Sequence, residues 1–172
     1  MSDQQIEEFL AKEPKVPVKF NHNVQGLGKY IGSAKSNNVS ANQCVELPFY
    51  IAAVLFKRRL VTMDRPAFLE NKIVNALQVN PLNVNLRILC PQFYTFAIKY
   101  LELYEDPDLA EILIKSKKIR SLEIFDRAKR IYEDHNEFIE KLDDGEQLMF
   151  EKQRAICEDS YVDYLRDFSK RS

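Results

Sequence analysis

The chain has no tryptophan, and its 172 residues include only four glycines, three cysteines and two histidines. Each scarcity excludes something. No glycine occurs from residue 33 to residue 144, which removes most of the loops that bring backbone close to a phosphate. The cluster Gly26-x-Gly28-x-x-x-Gly32 misses the dinucleotide fingerprint, whose third glycine falls where this chain has Ile31, and a P-loop Gly-Lys-Ser/Thr is absent. A turn between short strands is the expected use of these glycines. Cys44, Cys90 and Cys157 are odd in number and far apart, so neither a disulfide framework nor zinc spacing can be read from them. Reduced thiols in a cytosolic or nuclear protein are expected. His22 and His135 lack His, Cys or carboxylate neighbours at metal-ligand spacing, and His135, beside Glu133, Asp134 and Glu137, reads as part of a solvated helix face. The adjacent pairs Asp143-Asp144 and Glu7-Glu8 point different ways on a helix and cannot share a reaction centre. The residues nominate no catalytic, cofactor-binding or metal site, and no enzyme is expected.

Charge of one sign is also missing. Lys plus Arg number 25 and Asp plus Glu 26, with a pI near 6.2, so a whole-chain electrostatic affinity for nucleic acid or anionic membrane is not expected. No apolar run approaches the 18 or so residues of a spanning helix. The start, MSDQQIEEFL, lacks the basic and apolar regions of a signal peptide. A soluble, intracellular protein is the expectation, and a chain of this length buries about 70% of its unfolded surface without needing disulfides or metal.

What is present is organised by glycine and proline. Residues 1–44 read as a small N-terminal domain containing a short helix, Gln4 to Lys12, and extended segments. Val16-Pro17-Val18-Lys19-Phe20 alternates apolar residues with a strand's period, Pro17 favouring a sheet edge, and Tyr30-Ile31 is a second candidate strand. Residues 33–43 are polar and turn-rich. Residues 45–172 read as a helical domain in which prolines occupy first turns. One helix follows Pro48 and ends at Lys57-Arg58-Arg59. A second is capped by Asp64, with Pro66 in its first turn and Phe68, Leu69, Ile73 and Leu77 on one side. A third opens at Pro91, a long fourth runs from Asp106-Pro107 to about Glu140, and Asp143 with Glu146 reads as a capping-box start for a fifth. The predicted fold is mainly α (α+β overall), a helical bundle preceded by a small β-rich domain.

Two features could carry function. Residues 115–130 hold seven cations against Glu123 and Asp126, whereas residues 133–159 hold ten carboxylates against three cations. Lys115, Lys118, Arg120, Arg127, Lys129 and Arg130 form a candidate basic contact surface, for an acidic partner helix or for nucleic acid. The chain also has eleven Phe and eight Tyr. Phe49, Tyr50, Ile51, Leu55, Phe56, Phe93, Tyr94 and Phe96 make helices that are apolar on more than one side, which must be central or meet another subunit. A subunit of a larger assembly is expected.

Specific motifs sharpen that expectation. Val45-Glu46-Leu47-Pro48-Phe49-Tyr50-Ile51-Ala52 followed by Leu55-Phe56-Lys57-Arg58-Arg59 resembles a signature of the GINS complex, in its third Psf subunit. Asn80-Pro81-Leu82-Asn83-Val84-Asn85-Leu86 and Pro91-Gln92-Phe93-Tyr94-x-Phe96 are similar to a later stretch of the same family. Lys15-Val16-Pro17-Val18 and Gly26-Leu27-Gly28 match its opening, and Leu142-Asp143 with Phe150 its final helix. Phe49-Tyr50 stand where that family has Leu-Trp, and Gln92 where it has histidine; the second Psf subunit shares part of the first motif.

The resemblance implies a helical A domain preceded by a small β-rich B domain. It implies a nuclear, non-catalytic subunit of the heterotetrameric GINS complex, without cofactor, membrane or small-molecule substrate. Its implied partners are three other GINS subunits, the MCM ring and the RecJ-like component of the CMG replicative helicase, with DNA reached through the helicase. The aromatic residues named above would support the core or the subunit interface, and residues 1–10 would lie near the centre of the tetramer. A basic-helix nucleic-acid-binding module, a different helical scaffold subunit and a small enzyme stay open as alternatives.

Overall fold

The structure, a computed structural model, describes residues 14–27 and 38–169, with side chains to residue 162. The expected helix Gln4–Lys12, residues 1–10, the strand Tyr30-Ile31 and Gly28 and Gly32 lie outside the described residues. The chain divides into two compact units, residues 1–70 and residues 71–172. It is mainly helical, with a small antiparallel sheet near the N-terminus, in line with the predicted fold class.

In the first unit, β1 (Lys15–Phe20) pairs with β2 (Cys44–Pro48) and β3 (Val61–Met63) in the order β2-β1-β3, antiparallel throughout. Alternation puts Val16, Val18 and Phe20, Val45 and Leu47, and Val61 and Met63 on one buried face. Helix α1 (Phe49–Lys57) packs against all three strands and adds Phe49 and Ala52 to that core. β1 is the central strand, not the edge that Pro17 suggested. The backbone N–H of Phe20 donates to Gln43 O at 3.2 Å, so even-numbered residues of β1 address β2 and odd-numbered ones β3. Pro17 therefore faces the side on which β3 has already ended at Met63, where its carbonyl accepts from Asp64 N–H at 3.2 Å and no donor is required.

The expected domain boundary after residue 44 falls at the first residue of β2, which is paired with β1 along its length. Contacts therefore hold residues 45–70 with the sheet. Asp64 caps no helix either. It continues the ladder, Pro66 precedes a 3-10 turn (Ala67–Leu69), and helix α2 (Asn71–Val79) starts later than predicted.

The second unit contains α2, a 3-10 turn (Pro81–Asn83), α3 (Leu86–Leu89), α4 (Phe93–Leu101), α5 (Pro107–Lys129), α6 (Asn136–Ile139) and α7 (Asp144–Ser169). Pro107 occupies the first turn of α5 and the Asp106 carboxylate accepts from Leu109 N–H at 3.0 Å, the expected cap. Leu109, Leu113, Ser116, Arg120, Ile124 and Ala128 form the buried face of α5, at the three- and four-residue spacing of one helical stripe. That stripe packs on α7, and α2 packs on α5. Ile124, Ala128, Phe138, Leu142 and Phe150 make one apolar cluster. The long helix predicted to reach Glu140 ends at Lys129. Continued straight, it would carry Phe138 about 21 Å beyond Ile124, whereas the turn after Arg130 folds Phe138 back against the cluster. No described helix is long and apolar enough to cross a membrane.

Candidate functional site

The basic stretch of α5 is largely neutralised within its own chain. Lys115 pairs with Glu111 at 2.5 Å, Arg127 with Glu123 at 2.6 Å, and Arg130 with Asp126 at 2.5 Å and Glu133 at 3.7 Å. All but the Arg130–Glu133 pair, which lies in the turn after α5, join residues four apart, and the hydrogen bond from Lys115 holds the Glu111 carboxyl below its ordinary range. Lys118 and Lys129 stay exposed.

Arg120 is not part of any surface: its side chain is 1% exposed and meets Glu146, which is 0% exposed. Nε lies 2.9 Å from Oε1 and Nη2 2.7 Å from Oε2 of that carboxylate. Nη1 donates to the carbonyls of Pro81 at 2.7 Å and Val84 at 3.1 Å, and Nη2 to that of Lys141 at 3.0 Å. All five guanidinium N–H groups are thereby used. Nothing is left over to polarise a substrate or reach a partner. The spacing of Leu109, Leu113, Ser116, Arg120 and Ile124 carries the signal that would have placed Arg120 inside.

Glu146 serves twice. Its backbone N–H donates to Asp143 Oδ1 at 2.8 Å while its Oε2 accepts from Asp143 N–H at 3.3 Å, the reciprocal capping box predicted for this helix. Asp143 Oδ2 in turn accepts from Tyr94 N–H at 3.3 Å at the start of α4. Arg87 adds a hydrogen bond to Leu142 O at 3.2 Å and contacts Gln147 and Asp144. One buried ionic hub thus fixes the first turn of α7 to α5, to α4, and to the turns around residues 81–84 and 141.

The eight aromatic and apolar candidates separate into two groups. Phe49, Phe93, Tyr94 and Phe96 are buried. Tyr94 shares a 3.0 Å hydrogen bond with Ser116 Oγ, lies edge-on to Phe93, and has Lys117 Nζ 4.2 Å from its ring centroid. Burial raises its hydroxyl well above the ordinary tyrosine range. Ile51, Leu55 and Phe56 are half-buried, and Tyr50 is 47% exposed.

The reactive residue types supply no site among the described residues. His135 is buried, contrary to the solvated face expected for it. Its Nε2 lies 3.1 Å from Arg130 O and its ring meets Phe150 edge-on, because the turn after α5 closes over the core. Burial pushes the Cys90 thiol up to about 11, against a backbone hydrogen bond from Gln92 that pulls it down. Such a thiol is a poor nucleophile at neutral pH. No described group of His, Cys, Asp and Glu could hold a metal ion.

What remains is an apolar strip on the two longest helices. Ile114, Leu122 and Phe125 of α5 and Leu148 and Ile156 of α7 are exposed, Leu122 by 62% and Ile156 by 59%. Phe125, Leu148, Met149 and Ile156 line one shallow recess with Lys152. Beyond Phe150, none of residues 151–162 is buried, and α7 there exposes Tyr161 and Val162 as well. Single exposed apolar residues are ordinary, but Phe125, Leu148 and Ile156 gathered in one recess on the paired helices α5 and α7 mark an interaction surface.

Residues 5–57 match the family model described as the PSF3 N-terminal domain, and residues 68–163 match that of the GINS complex protein helical bundle domain. The chain is 33% identical over 159 residues to the DNA replication complex GINS protein psf3 of Aspergillus fumigatus, covering 87% of this chain and 89% of that one. It is 32% identical over 144 residues to the protein of the same description from Schizosaccharomyces pombe, covering 82% and 84%. It is 31% identical over 154 residues to the one from Phaeosphaeria nodorum, covering 84% and 86%.

Proposed function

The chain belongs to the Psf3 family of GINS complex proteins, and from that premise we propose that it is a non-catalytic scaffold subunit of the CMG replicative helicase. In this reading it joins three other GINS subunits in a heterotetramer in the nucleus. The assembly holds the MCM ring together with a RecJ-like partner, and the ATP-driven work belongs to MCM. The sheet-bearing N-terminal unit plays the part of the B domain and the helices that of the A domain.

The observation that carries this reading is the exposed apolar strip on α5 and α7. Fully burying a side chain such as isoleucine or leucine gains about 1.5–3 kcal/mol, and Ile156 and Leu122, more than half exposed, leave much of that gain unused among the described residues. A helix of a sister subunit laid along the strip would. The hub of Arg120 and Glu146 supports the same mechanism, since it holds the base of α7 rigidly and lets the distal half present its surface. Tyr50 and the half-buried Ile51, Leu55 and Phe56 offer a second, smaller contact face on α1. The buried Phe93, Tyr94 and Phe96 serve the core.

Affinity purification of the tagged chain from its own cells tests the assembly. Three other small helical subunits in about equal amounts, with MCM proteins and a RecJ-like protein at lower yield, are the expected result; a solitary chain would sink the reading. Replacing Leu148 and Ile156 together by Glu should abolish co-purification while leaving the melting temperature within about 2 °C, since exposed substitutions change stability by about 0.5 kcal/mol or less.

A further inference from the structure

The near-zero net charge conceals a second basic region, distinct from α5 and much less neutralised. From Lys15 to Met63 the sequence contains seven cations, Lys15, Lys19, Lys29, Lys35, Lys57, Arg58 and Arg59, and one carboxylate, Glu46. That is a net charge of +6 in a chain whose total is −1. Four of these cations, Lys19, Lys57, Arg58 and Arg59, belong to one corner of the sheet unit, and all four are exposed.

The corner is built by backbone and amide contacts. Asn21 N–H donates to Leu60 O at 3.0 Å, and Asn21 Nδ2 to Arg59 O at 3.0 Å. The turn that carries the three consecutive cations is thus pinned to the end of β1, about 7 Å along the strand from Lys19. Thr62 Oγ1 donates to Lys19 O at 3.3 Å and secures the same edge. The nearest sheet carboxylates by register, Glu46 and Asp64, both stand level with Pro17, further along β1. No described ion pair involves any of the four cations, whereas Lys115 and Arg127 of α5, and Arg130 just after it, are all paired.

Helix α1 ends here, and its dipole accounts for one or two cations near Lys57 and Arg58. It does not account for Lys19 or for the lack of carboxylates. Nor does it account for Arg59, which holds a left-handed backbone at φ 59°, where glycine or asparagine would sit with less strain.

We propose that this corner, Lys19 with Lys57-Arg58-Arg59, binds the phosphate backbone of nucleic acid without regard to sequence. A phosphate backbone asks only for cations and N–H donors at an open surface. A protein partner asks in addition for an apolar anchor in a pocket, and the turn itself presents none. This inference is separate from the scaffold reading, because it rests on the cations of the turn and a direct contact with nucleic acid, not on the apolar residues of α1, α5 and α7.

The test is fluorescence anisotropy of a labelled 30-base-pair duplex, and of one of its single strands, titrated with the full-length chain at several salt concentrations. About four phosphate contacts predict a slope of log affinity against log salt of about −3 to −4 for the duplex, a loss of about a hundredfold between 50 and 200 mM. Arg58→Gln with Arg59→Asn should weaken binding at 50 mM at least tenfold and roughly halve the slope. Asparagine is at home at the backbone angle of residue 59, and circular dichroism checks the fold. Lys19→Gln with Lys57→Gln is the second pair and should act alike. Lys118→Gln with Lys129→Gln, the same charge removed from α5, should change neither quantity. Equal losses from all three pairs, the absence of salt-dependent binding, or displacement of the duplex by polyglutamate at lower concentration than by unlabelled DNA would each overturn the proposal.

Discussion

Replacing Arg120 by Met separates a buried structural hub from a surface contact more cleanly than any other single change. Methionine keeps much of the stem and removes all five donors. Glu146, 0% exposed, would keep its charge without its counter-ion, and the carbonyls of Pro81, Val84 and Lys141 would lose the donors now 2.7–3.1 Å away. Breaking a buried pair from one side costs about 3–5 kcal/mol. Two or three orphaned carbonyls point to the upper part of that range. For a chain of this size each kcal/mol is worth about 2–4 °C, so the melting temperature should fall by about 10 °C or more. The assay is thermal unfolding followed by circular dichroism at 222 nm, the chain having no tryptophan to report. The double replacement Arg120→Met with Glu146→Leu should recover part of the loss, because the buried charge is gone. It should not recover all of it, because the three carbonyls and the cap to Asp143 N–H stay unsatisfied. A fall of under about 2 °C for the single variant would refute the reasoning and return Arg120 to the basic contact surface.

Asp143→Ala removes the cap of α7 and the acceptor for Tyr94 N–H together; a loss of about 1–2 kcal/mol is expected by chemical denaturation. Phe150→Ala should cost about 3–5 kcal/mol in the same measurement, since Phe150 is 2% exposed at the meeting point of the α5–α7 cluster. The Cys90 thiol should resist a thiol reagent at pH 8 until the chain unfolds, whereas the exposed Cys44 reacts at once. Its folded value of about 11 stands above the ordinary 9.0, so the unfolded chain loses that proton first. Its contribution to stability is therefore complete below pH 9 and is lost as pH rises towards 11, a decline that Cys90→Ala should abolish.

Much of the candidate site was legible because helix starts are local events. Asp106 before Pro107, and Asp143 three residues before Glu146, announce their helices through bonds that span three or four residues, and both caps form as read. The resemblance in residues 45–96 was legible for another reason: an ordered string of specific residues survives wherever the chain later places them. Short β-structure was harder. Val61-Thr62-Met63 is too brief to show a period, and only its pairing with Val18-Lys19-Phe20, more than forty residues earlier, makes it a strand. The aromatic list mixed Tyr50, which stands out in water, with Phe93, which does not.

The sequence by itself determined the class of the fold, the capped starts of α5 and α7 and the family, since composition, capping and motif order act over a few residues and need no partner. The tertiary structure alone decided where charge goes. Two arginines seven residues apart on α5, Arg120 and Arg127, look alike in a list. One is sealed against Glu146 and three carbonyls; the other lies part-exposed beside Glu123. Their difference comes from what the turns at residues 81–84 and 141 bring to them. Those groups are distant along the chain, and the energy of a charge depends on which of them excludes water from it.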